Sequence, residues 1–62
     1  METWLEEVLP PGYLRAGAVH RLTNWLRVSP LGPEDRKFIL VTWCEYTGVP
    51  LSRSLVEASG AD

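Results

Sequence analysis

At 62 residues the chain has room for one domain, residues 1–62, and for no more. Cys44 is the lone cysteine and His20 the lone histidine, so neither an internal disulfide framework nor a four-ligand zinc staple is possible, and no metal or cofactor is expected. Apolar residues at 45% and charged residues at 23% mark a globular rather than a disordered chain, and a net charge of −2 is the opposite of what phosphate-binding domains carry.

Proline and glycine punctuation at Pro10-Pro11-Gly12, Ser29-Pro30-Leu31-Gly32-Pro33, Gly48-Val49-Pro50 and Gly60 divides the chain into four segments. The first, Thr3 to Leu9, opens with a capping-box pattern in which Thr3 and Glu6 exchange bonds with each other's backbone N–H. Trp4, Leu5, Val8 and Leu9 lie at helical spacing, and Pro10 and Pro11 end the run. A helix this short persists only when docked. The second segment is the most periodic. Leu14, Ala18, Leu22 and Trp25 recur at i, i+4, i+8 and i+11, with Val19 and Leu26 widening the stripe, which predicts a helix from about Gly12 to Val28.

The third segment opens on Pro33, Glu34 and Asp35, a helix-starting signature, and closes at Gly48. Its apolar residues fall on almost every face, as in a central, buried helix. The run from Phe38 to Trp43 is also rich in strand-favouring side chains, but a lone strand would lack a partner. The fourth segment, Ser52 to Ser59, predicts a short helix with Ser52 as N-cap and Leu51 and Val56 as a hydrophobic staple, competing with a start at Pro50. Gly60-Ala61-Asp62 is expected to fray.

These elements add up to an all-α protein, a compact bundle of three to four short helices with the third segment central. The expected core is Leu5, Val8, Leu14, Ala18, Leu22, Trp25, Phe38, Leu40, Val41, Trp43, Cys44 and Leu55. A single core below roughly 70–80 residues rarely supplies more than about 3–5 kcal/mol. The apolar excess of the third helix therefore predicts a homodimer.

No catalytic constellation is legible. Cys44 sits in the most apolar segment, where a thiol is usually inert, and the pairs Glu6/Glu7 and Glu34/Asp35 fall in first helical turns that favour negative charge. There is no phosphate-binding glycine loop and no nucleophile elbow, and the chain is short for enclosing a substrate pocket, so neither an enzyme nor a small-molecule substrate is expected. Residues 1–9 carry three glutamates and no base, unlike a secretory start, and the Phe38–Cys44 run is too short to span a bilayer. A single unpaired cysteine fits a reducing compartment, hence a cytoplasmic protein, or a nuclear one where the source has a nucleus.

Binding is the remaining activity. Residues 10–31 hold Arg15, Arg21 and Arg27 and no acid. Along the second helix Tyr13, Gly17, His20, Asn24 and Arg27 form a stripe opposite Ala18 and Leu22, with a side-chain mix suited to protein recognition. The same stripe is also what any solvated amphipathic face presents. The leading expectation is a small regulatory or adaptor protein that binds another protein through helix faces. The second is DNA binding. Residues 38–58 resemble a helix-turn-helix, with Cys44 four before the turn glycine Gly48, Val49 after it, and Arg53 flanked by Ser52 and Ser54 on the second helix. That pattern departs from the motif at Ser54, where an apolar residue is usual, and Arg53 is its only base. Pro10-Pro11-Gly12-Tyr13 also matches a short proline-rich WW-domain ligand, although a helix stop followed by a helix start explains the prolines equally. Membrane-surface binding by the second helix would sacrifice the apolar face that the core needs.

Overall fold

In the computed structural model, residues 4–62 are described and form four α-helices without strands: α1 (Leu5–Val8), α2 (Val19–Val28), α3 (Pro33–Thr47) and α4 (Arg53–Ala58). The all-α bundle expected from the segments is what forms. The Thr3 half of the expected capping box lies outside the described residues.

The longest helix, α3, begins and ends where its local chemistry dictates. Pro33 occupies the first turn, Glu34 and Asp35 follow at the positive end of the dipole, and Gly48 closes the helix in the left-handed region at φ 84°. Its N–H bonds the Cys44 carbonyl at 2.8 Å. Ser52 caps α4 by accepting from the Leu55 N–H at 3.3 Å. The Leu51 arm of the expected staple remains exposed.

The second segment departs from its periodicity. Instead of one helix from Gly12, a turn at Gly12 (φ 89°) and extended backbone at Arg15 precede a 3-10 turn, Ala16–Ala18, that leads into α2. The cause is tertiary. The indole Nε1–H of buried Trp43 donates to the Tyr13 carbonyl at 2.6 Å, taking an acceptor that a helix starting at Gly12 would use internally.

The core joins Leu5 and Leu9 from the α1 segment, Leu22 and Leu26 of α2, and Ile39, Leu40, Trp43 and Cys44 of α3. Leu14, Trp25 and Leu55, expected inside, are half-buried at its margin. Val41 is also half-buried, while Val8 and Phe38 are exposed. The reason is directional. Leu40, Trp43 and Cys44 commit one face of α3 to the interior, and a helix turning 100° per residue then carries Phe38 to the opposite side.

The last residues correct an expectation. Gly60 (φ 68°) and Ala61 close α4 with the paired bonds of a Schellman motif, Gly60 N–H to the Glu57 carbonyl at 3.2 Å and Ala61 N–H to the Val56 carbonyl at 3.0 Å. Ala61 is buried. The Arg36 guanidinium ties this turn to the end of α2, donating from Nη1 to the Gly60 carbonyl and from Nη2 to the Ser29 carbonyl. Gly60-Ala61 is thus built into the bundle rather than frayed.

Candidate interaction surfaces

The stripe expected on the second helix survives in part. His20, Asn24 and Arg27 are exposed on α2, and Arg27 donates from Nη2 to Asn24 Oδ1 at 3.1 Å. Gly17 is exposed one turn earlier, in the 3-10 turn, with open space around it. Tyr13 does not join them. It lies in the loop before that turn, half-buried against the core, because its carbonyl holds Trp43.

The segment expected to resemble a helix-turn-helix runs through α3, the left-handed turn at Gly48, a half-buried Val49 and then α4. Its second helix has six residues, about 9 Å of length at 1.5 Å per residue. It packs chiefly on α2. Ser52 is occupied as the cap, and Arg53 and Ser54 face solvent. In the proline-rich segment Gly12 turns the chain back at φ 89°, so Pro10 to Tyr13 does not present the extended ligand form.

A surface that periodicity did not reveal lies across α1 and α3. The rings of Trp4 and Phe38 stack with centroids 5.4 Å apart and planes parallel to within 1°. Phe38 is 62% exposed, and Trp4 and Val8, one turn apart, are 39% exposed each. Along α3, Glu34, Phe38, Val41 and Glu45 recur at i, i+4, i+7 and i+11 and therefore share a face. One signal for this was available: Phe38 lies opposite the Trp43 face on any helical wheel.

Chemically reactive groups are not gathered at either surface. A cleft of about 260 Å³ between α1 and the following loop is lined by Glu6, Leu9, Pro10, Pro11, Gly12 and Leu14, and among these described residues Glu6 is the titratable one. Among the described residues no cluster of three or more potential ligands could hold a metal ion, and no helix is long and apolar enough to cross a membrane.

Cys44 is buried in the core while His20 faces solvent, and burial pushes the thiol above its ordinary 9.0. Because the folded state holds the thiol proton more tightly, this contribution to stability is complete below that ordinary value and is lost as pH rises from it through the higher value of the folded state. The expected result is a decline in stability above about pH 9 that Cys44→Ala lacks, measured by urea unfolding across the pH range. Native Cys44 should also react with a thiol reagent more than about tenfold more slowly than the unfolded chain, since labelling waits for opening.

No protein-family model matches the chain, and no curated protein or solved structure shows significant similarity to it.

Proposed function

We propose that this chain is a small, non-enzymatic regulatory or adaptor protein that acts by binding another protein through its helix faces. The observation that carries this reading is the stacked Trp4–Phe38 pair held at the surface of a domain whose third tryptophan, Trp43, already fills the core. Aromatic side chains supply large contact area at low entropic cost and concentrate at protein interfaces. The exposed His20-Asn24-Arg27 stripe is a second polar surface suited to the rim of such a contact. A cytoplasmic location accords with the single unpaired cysteine.

The test is selection from a displayed library of short helical peptides. Immobilised protein is expected to enrich defined peptides over the starting pool, and Phe38→Ser is expected to lose them by at least about tenfold, as removal of an interface anchor does. Arg27→Glu asks whether the α2 stripe takes part, and unchanged enrichment would remove it.

Failure to enrich any peptide would overturn the reading. The alternative of DNA binding would then be pursued with duplex DNA, where affinity should fall steeply with salt and depend on Arg53. Self-association is a second reading of the same exposed apolar surface, and a monomer in sedimentation at high concentration would remove it.

A further inference from the structure

We infer that the surface built on Trp4, Val8, Phe38 and Val41 takes a basic amphipathic helix of a partner protein, an inference that rests on the protein-binding reading above. Three features of the face select this occupant. It is apolar at its centre, with the exposed ring stack and Val8 on α1 and with Val41 one turn beyond Phe38 on α3. It is acidic at its margins. Glu34 and Glu45 lie on the Phe38 face of α3, and Glu7 stands one turn from Trp4 on α1; all three are exposed and have no ion-pair partner among the described residues. Among the described residues, Lys37, beside Phe38 in sequence, is the base at the edge.

The third feature is Glu45 itself. Glutamates in the first turns of α1 and α3 are accounted for by the helix dipole, but Glu45 stands in the closing turns of α3, where no basic residue offsets it. A carboxylate at the negative end of a helix works against that helix. A cationic side chain from outside would complete this arrangement, and lysines or arginines flanking an apolar ridge on a partner helix would meet Glu34 and Glu45 along one helix face. Charge also decides against the simplest rival. Two copies joined through this face would bring both sets of glutamates together, at a cost in like-charge repulsion that a basic helix turns into attraction.

The peptide selection gives the test when its winners are sequenced. Enriched peptides are expected to carry lysine or arginine on both flanks of an apolar i, i+3, i+4 ridge. Their affinity, read by titration calorimetry, should fall tenfold or more with either Phe38→Ser or the paired charge reversals Glu34→Lys and Glu45→Lys. A scrambled peptide of equal charge should bind at least tenfold more weakly than the parent, which separates seating on the face from general attraction.

Circular dichroism of each variant establishes that it remains folded. Enriched peptides that are neutral or acidic, or that bind the charge-reversed variant equally well, overturn the basic-helix inference while leaving protein binding in place. A wild-type chain that dimerises through Phe38 and excludes every peptide overturns it in favour of a second copy.

Discussion

Trp43→Ala is expected to leave the chain largely unfolded at 25 °C. Trp43 is completely buried, lies on the inner face of α3 and belongs to the same core as Leu5 and Leu9, Leu22 and Leu26. Truncating a buried tryptophan to alanine costs about 3–5 kcal/mol. The whole stability of a domain this small is about 3–5 kcal/mol, so the loss and the total are comparable. Trp43→Phe separates packing from hydrogen bonding. It keeps an aromatic ring in the core but removes the donor to the Tyr13 carbonyl, with an expected loss of about 1–3 kcal/mol for an acceptor left unsatisfied. Urea unfolding followed by circular dichroism measures both. A Trp43→Ala protein within about 1 kcal/mol of the parent would mean that the core is not organised around this residue, since buried large-to-small changes cost more than that.

The same indole bond explains where sequence periodicity succeeded and where it failed. The ends of α3 and the start of α4 were legible because their determinants are local: Pro33-Glu34-Asp35, Gly48 and Ser52 act on their own neighbours. The start of α2 was not, because it depends on Trp43, a residue distant in sequence that takes the Tyr13 carbonyl. That one bond removes Tyr13 from the expected stripe, whereas His20, Asn24 and Arg27 follow the helix that does form.

The inner face of α3 was obscured for another reason. Apolar residues on all sides give periodicity no direction to choose, so the pattern places Phe38 in the core, where the fold puts Ile39 inside and Phe38 outside. The expected core likewise lacks Leu9 and Leu26, which are buried, and holds Val8 in the place that Leu9 takes. The Trp4–Phe38 stack joins residues from two helices and has no signature in either alone. The surface proposed to bind was therefore visible only after folding, although each of its residues lay in a helix that the sequence predicted.

Arg36→Met should be the second most damaging change, with an expected loss of about 2–4 kcal/mol, because hydrogen bonds from charged donors are worth about 1.5–3 kcal/mol each and the substitution retains much of the buried stem. The two bonds it removes, to the carbonyls of Ser29 and Gly60, link the end of α2 to the turn that closes α4. Arg36→Lys tests the geometry. One ammonium cannot reproduce a planar fork that reaches two carbonyls on separate segments, so it should recover less than half of the loss.

Gly60→Ala attacks the same corner from the other side. Its φ of 68° is left-handed, which costs an alanine about 1–2 kcal/mol, and its new Cβ would stand 2.9 Å from Arg36 Nη1. Ser59 supplies the contrast. It is fully buried and its Oγ has no hydrogen-bond partner among the described residues, so Ser59→Ala removes an unsatisfied group and should leave stability unchanged or raise it by up to about 1 kcal/mol. Thermal and urea unfolding of the four variants measures the whole pattern. If Arg36→Met and Gly60→Ala were as stable as the parent, the guanidinium would not be tying the closing turn of α4 to α2, and residues 60–62 would be the frayed end that their composition suggests.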